Sequence, residues 1–220
     1  MLLAIDTSTS LTGLALYHAE GVRAECVWES GRNHTAQLLP QLDLLLRHIG
    51  AARDDLRAVA VALGPGSWSG LRVGVSVAKG MALAGGLPLL GVNTLEALAY
   101  QHGRPGLPIY PLIRLGRERF ATAAFRAGPV RQEPDRNVTL AALVAEISGR
   151  ALFCGDVDAA ALAELRRGLG ERAIVPEAAA SVRRPAFLAE LAWRRFVAGK
   201  HDDLVHLEPV YLGEPVKAQP

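Results

Sequence analysis

The chain has 220 residues, half of them hydrophobic, enough to bury a sizeable core in one large domain or two small lobes. Its 24 basic and 22 acidic side chains leave a formal charge of +2, and the arginines are scattered and form no stripe, which excludes an independent nucleic-acid binder. Two unspaced cysteines, Cys26 and Cys154, exclude a disulfide scaffold and a cysteine zinc site, and the lack of a basic leader or a membrane-length apolar run makes a soluble, cytoplasmic protein the default.

Leu2 to Asp6, LLAID, reads as a short buried strand that stops in the hydroxyl-rich turn Thr7-Ser8-Thr9-Ser10. Asp6, Thr7 and Ser8 then either satisfy their own turn or contact a phosphate or a metal-bound water. Strands at Leu11 to Tyr17 and Ala24 to Glu29, joined by a turn at Glu20-Gly21, complete an antiparallel meander. A helix is predicted over Thr35 to Ile49. Leu38, Leu39, Leu42, Leu45, Leu46 and Ile49 fall in a stripe about 120° wide, with Leu44 opposite, among Gln37, Gln41, Arg47 and His48. Pro40 predicts a kink or a late start.

Leu56 to Leu63 is the next strand, and it runs into GPGSWSGLRVGVSVAKGMALA over residues 64–84. Gly64, Gly66 and Gly70 bracket Pro65, Ser67, Trp68 and Ser69, a structural loop whose turns a Cβ would obstruct, with Ser69 expected to cap the following helix. Stepping that helix at about 100° per residue gathers Arg72, Ser76 and Lys79 into one polar wedge. Gly70, Gly74, Ala78 and Ala82, with Gly80 and Ala84 further round, leave the rest smooth, which predicts cover by a sheet on one side and a second helix on the other. Leu71, not lysine, follows Gly70, so the loop is not a Walker-type phosphate loop. A strand at Leu87 to Val92 and a short helix opened by Asn93-Thr94-Leu95-Glu96, with Thr94 as cap, end the first half.

Glycine and proline between His102 and Pro108 place a lobe boundary there, dividing the chain into residues 1–106 and 107–220. Paired strands at Ile109 to Arg114 and Phe120 to Arg126 flank the arginine-rich segment Arg114 to Arg119, which could meet a phosphate, a partner carboxylate or water. A helix over Thr139 to Ser148, a strand over Ala151 to Cys154, a helix over Asp158 to Leu169 and a short strand over Ala173 to Val175 follow. The last helix, Ala186 to Ala198, and the tail are expected to pack back on the first lobe. The class is α/β, two lobes of mixed sheet flanked by helices, the second lobe eroded. The six histidines contain no HxxxH pair, and His201 and His206, five apart with Asp202 and Asp203 between them, read as a solvated loop, so no metal site is expected.

LLAIDTSTSLTGLAL, the His34-Thr35 pair with LLPQLDLLL, the glycine segment through GVNTLEALA and the late LEPVYL resemble, in order and spacing, the TsaB family, also called YeaZ. The resemblance covers about the first hundred residues and the C-terminal tail. It implies the actin-like ATPase and sugar-kinase (ribonuclease H-like) fold, and a non-catalytic subunit of the machinery that places threonylcarbamoyl on the adenosine 3′ of the tRNA anticodon. It further implies TsaD as partner through the first lobe, the ATPase TsaE joining the pair, tRNA met through the complex, and no cofactor of the chain's own, with ATP or ADP left to the junction between subunits. Where the family shows an Asp-Ala-Arg type strand end, this chain has Ile113-Arg114-Leu115-Gly116-Arg117, so Arg114 holds the acidic position. Gly155-Asp156 is either the remnant of an adenosine loop or a tight turn. Gln37, Gln41, Leu44 and His48 with Val73, Val77, Gly80 and Ala84 are the residues expected to line the surface for TsaD, or for a homodimer when the chain is alone. Two other classes stay open, a small ATPase or kinase of the same fold acting through Asp6, and a metallopeptidase.

Overall fold

A computed structural model of the chain describes residues 1–31, 33–104, 106–127 and 129–212. The first sheet contains β1 (Leu2–Asp6), β2 (Leu11–His18), β3 (Gly21–Glu29), β4 (Ala58–Gly64) and β5 (Leu89–Asn93) in the order β3-β2-β1-β4-β5, antiparallel on the meander side and parallel on the other. Side chains alternate across it. Leu3, Ile5, Val59 and Val61 meet α1 (His34–His48) and α2 (Trp68–Gly85) on one face, while Leu2 and the small residues Ala4, Ala15, Ala58 and Ala60 leave room on the other for α6 (Pro185–Val197).

The second sheet runs β10 (Arg136–Val138), β7 (Phe120–Thr122), β6 (Ile109–Arg114), β11 (Ala151–Gly155) and β12 (Ala173–Ile174), with the short pair β8 (Phe125–Arg126) and β9 (Val130–Arg131) attached to β6. Helices α4 (Leu140–Glu146) and α5 (Ala159–Leu169) cover Leu112 and Phe153 on one face. Helix α3 (Thr94–Gln101) lays Leu95 and Leu98 against Ile113 and Leu152 on the other. The two halves therefore exchange helices, since α3 packs on the second sheet and α6 on the first.

Beyond α6 the tail covers the β5 edge. The Asp202 amide donates to Leu89 O at 2.8 Å, its carboxylate accepts from the Gly91 amide at 2.7 Å and from Arg195, and the Val210 amide donates to Leu63 O at 2.7 Å. An occupied edge cannot template pairing with another chain. No helix among the described residues is long and apolar enough to cross a membrane.

Several local expectations need correction. Helix α1 continues through Pro40, whose ring lies on an exposed side, and Leu39, 38% exposed, stands outside the core stripe. Asn93, not Thr94, caps α3, its Oδ1 accepting from the amides of Leu95 and Glu96; the Thr94 hydroxyl accepts from the Gly64 amide instead. The strand expected over Phe120 to Arg126 is interrupted at Ala123-Ala124. Likewise Ser67, not Ser69, caps α2, because the helix begins at Trp68 and the Ser67 hydroxyl reaches the Gly70 amide at 3.3 Å.

Candidate functional site

Strand β1 ends at Asp6, and the turn after it sits under the start of α2. Both carboxylate oxygens of Asp6 are engaged. Oδ1 accepts from the Ser8 amide at 2.9 Å and the Ser8 hydroxyl at 2.5 Å, while Oδ2 accepts from Nη2 of Arg183 at 2.9 Å. Arg183, 8% exposed, also donates to the Ser8 hydroxyl at 2.8 Å. The space in which a phosphate or a hydrated ion would meet Asp6 thus holds a guanidinium from the segment between β12 and α6. Nothing in the sequence marked Arg183, which lies 177 residues from Asp6 in a non-periodic stretch.

The glycines of the loop make a second contact with this turn. A Cβ at Gly66 would overlap the Ser8 carbonyl, one at Gly70 the Thr7 carbonyl, and one at Gly74 the Thr7 hydroxyl, which itself donates to Gly70 O at 2.7 Å. The Ser67 amide donates to Ser8 O at 2.7 Å. Gly64 has a left-handed φ of 108° and lies against the Val210 carbonyl of the tail. The smooth side formed by Gly70, Gly74, Ala78 and Ala82 is therefore buried on the chain's own Thr7-Ser8 turn and first sheet, the sheet-covered side expected of this helix. Beside the turn, His34 Nδ1 meets the hydroxyls of Thr12 at 2.6 Å and Ser30 at 2.9 Å; burial holds this histidine below its ordinary pKa, with the Asp6 charge pulling the other way.

What remains outward on α2 is different in kind. Gly80 and Ala84 are exposed with no neighbour within 4 Å of a Cβ at Gly80, and Val73 and Val77 are half-buried. Leu83 is 73% exposed, seven residues beyond Ser76 and so inside the wedge read as wholly polar. Helix α1 packs alongside, presenting Leu44, 41% exposed, with His48 exposed and Gln41 half-buried. Gln37 has a local role as well, its Oε1 accepting from Trp28 Nε1 at 2.9 Å. At the start of α2, Trp68 is stacked between Tyr211 of the tail, with centroids 3.9 Å apart, and the Arg72 guanidinium 4.5 Å from the ring, an arrangement that periodicity could not reveal.

A family model described as TsaD, tRNA N6-adenosine threonylcarbamoyltransferase, matches residues 28–132. Across nearly the whole chain, 34% identity over 219 residues relates it to the tRNA threonylcarbamoyladenosine biosynthesis protein TsaB of Bacillus subtilis, covering 96% of this chain and 93% of that protein. The chain belongs to the TsaB family. The Escherichia coli TsaB is 39% identical over 98 residues, 44% of this chain and 42% of that protein. The structure of YeaZ from Pseudomonas aeruginosa superposes with a TM-score of 0.76 at 22% identity, covering 96% of this chain and 99% of that one, and shares the two-lobed actin-like fold.

At the end of β6, Arg114 is itself neutralised. Its Nη2 donates to Asp158 at 2.7 Å, its Nη1 to Arg117 O at 3.0 Å, and its guanidinium lies 4.6 Å from the Phe120 ring centroid. Asp156 accepts from the Arg114 amide at 2.8 Å, and a Cβ at Gly155, φ 100°, would overlap the Leu112 carbonyl, so Gly155-Asp156 works as a tight strand-to-helix turn. Asp202 is turned to Gly91 and Arg195, away from His201 and His206, and no group of three His, Cys, Asp or Glu side chains comes together among the described residues.

Proposed function

We propose that this chain acts in tRNA threonylcarbamoyladenosine biosynthesis as a non-catalytic scaffold that binds TsaD through α1 and α2 and supports threonylcarbamoyl transfer on that partner. The observation that carries this reading is the apolar relief of an otherwise packed helix pair: Leu44 stands exposed on α1, and Leu83 on α2 with Gly80 and Ala84, where a second helix can approach closely. Gln37, Gln41, Leu44, His48, Val73, Val77, Gly80 and Ala84 line that surface, and Leu83 joins them. Residues 1–106 form the docking lobe and residues 107–220 the second lobe. TsaE joins the pair, tRNA is met through the complex, and ATP or ADP belongs to the subunit junction and not to Asp6, whose oxygens are already engaged. Without TsaD the same patch supports a homodimer.

The test is light scattering coupled to size-exclusion chromatography on this chain, on TsaD from the same organism and on their mixture, repeated with Val77→Glu and Leu83→Glu. A one-to-one complex is expected, weakened at least about a hundredfold by a charge at the centre of the contact. Absence of a complex, together with magnesium-dependent ATP hydrolysis by the chain alone that Asp6→Ala abolishes, would replace the scaffold with the kinase class.

A further inference from the structure

Among the described residues, the most heavily buried charges lie outside the helix-pair surface, where the two halves meet. Arg183 and Asp6 are 8% and 9% exposed. Both Nη2 protons of Arg183 are used, on Asp6 Oδ2 and the Ser8 hydroxyl, whereas Nη1 is shielded from solvent and has no partner among the described residues. A guanidinium held dry with one amino group unused is an expensive arrangement, and hydrophobic side chains of similar volume often serve stability as well. Its contacts show what it does instead.

The segment carrying Arg183 leaves the second sheet at β12 and enters α6 on the first, so it straps one half to the other. Further ties hold this strap at its surface: Glu25 accepts from the Arg184 guanidinium at 2.7 Å and from the Ala186 amide at 2.9 Å, and Gln101 donates to Val182 O at 2.8 Å and accepts from the Arg184 amide at 3.0 Å. Glu25 and Gln101 are half-buried while Arg184 lies in solvent, so this outer set is the more screened of the two anchorages. From Arg183 the connections run inward without a gap: to Asp6 and the Ser8 hydroxyl, and from Ser8 O to the Ser67 amide at the cap of α2. Gly66 and Gly70 touch the backbone of the same turn, and Thr7 holds Gly70 O.

We propose that Arg183 is an interlobe latch, a built-in counter-cation that fixes the Asp6-Thr7-Ser8 turn and through it the seat of the first turn of α2. It is a positioning residue. Removing the guanidinium leaves a carboxylate in a site too enclosed to hydrate, so the turn must open, and the loop packed on it loses its support. Removing both charges leaves neither demand.

The test is a double-mutant cycle with Arg183→Met, Asp6→Asn and the two combined, read by urea unfolding and by hydrogen exchange of the full chain. Arg183→Met is expected to raise the unfolding constant at least about a hundredfold. The double variant should recover most of that loss, and Arg183→Lys, which restores one charge with fewer donors, part of it. Amides of Ser67 to Leu71 should exchange at least tenfold faster in Arg183→Met while those in the middle of α6 hold their protection, which a general loss of packing would not produce. Should Arg183→Met fail to fold, the double variant is still expected to be recovered folded. Additive losses, equal effects in α2 and α6, or a double variant no better than Arg183→Met would each overturn the latch.

Discussion

Helix α2 contains its own comparison, because two of its glycines differ chiefly in what lies beside them. At Gly70 a Cβ would overlap the Thr7 carbonyl oxygen, a backbone atom in a turn tied down by Asp6 and Ser8, so neither neighbour can yield by a side-chain rotation. At Gly80 nothing lies within 4 Å. Alanine gains up to about 1 kcal/mol over glycine in a helix interior, and less in the first turn where Gly70 sits. Forcing extra volume into a packed site costs about 1–3 kcal/mol. Gly80→Ala should therefore stabilise the chain by roughly 0.5–1 kcal/mol, and Gly70→Ala should destabilise it by about 2 kcal/mol after the helix gain is subtracted. For a chain of this length each kcal/mol moves Tm by about 2–4 °C, so the two variants should differ by about 5–10 °C. Urea and thermal unfolding of both proteins, followed by circular dichroism, measure the difference. Equal stability, or a Gly70→Ala protein as stable as its parent, would show that the glycine loop is not seated on the Thr7-Ser8 turn.

Two further outcomes can be measured on the same material. His34 and His102 are both held below the ordinary histidine pKa by burial, against the Asp6 charge in the first case and reinforced by Arg104 in the second. The unfolded chain therefore binds more protons than the native one, and stability should fall as pH drops through the unfolded value near about 6.5, levelling only below the native values. The double variant His34→Asn with His102→Gln should flatten this slope between pH 5 and 7.5; an unchanged slope would assign it to other groups. Asp202→Ala strips acceptors from the Gly91 amide and from Arg195, and since Asp202 is partly exposed the loss should be about 1 kcal/mol. Its local signature should be larger, with limited proteolysis between residues 200 and 212 speeding up as the tail leaves the β5 edge; parent-like cleavage would deny Asp202 that role.

Much of the fold was legible because it rests on local pattern. The apolar runs of β1 and β4, the leucine stripe of α1 and the glycine-rich entry to α2 each mark their element, and the structure follows them to within a residue or two at most ends. Errors fell where two candidates competed for one local role. Ser67 and Ser69 can both cap, as can Asn93 and Thr94, and the choice depends on where the first helical turn closes, which the tertiary contacts of the loop decide. The Asp6 site was half legible. A strand ending in Asp before small hydroxyl residues announced a busy carboxylate, but its partner is the first of two adjacent arginines after an alanine-rich stretch, and only the return of α6 to the first sheet brings them together. Leu83 was readable and missed: the same 100° steps that gathered Arg72, Ser76 and Lys79 place it among them.

The two sides of α2 bear on the choice between a scaffold and a nucleotide enzyme. A cleft that turns over ATP must keep an anion site open and keep carboxylates free to hold a metal. Here the turn and the loop touch through Gly66 and Gly70, Asp6 is neutralised by Arg183, and the strand end opposite carries Arg114 held by Asp158. Each of these polar groups is engaged by an internal contact. The turn and the glycine loop together make a packed seat beneath the start of α2, and a rigid inner side is what an outer side carrying Leu83, Gly80 and Ala84 needs if it is to meet another protein without first reorganising.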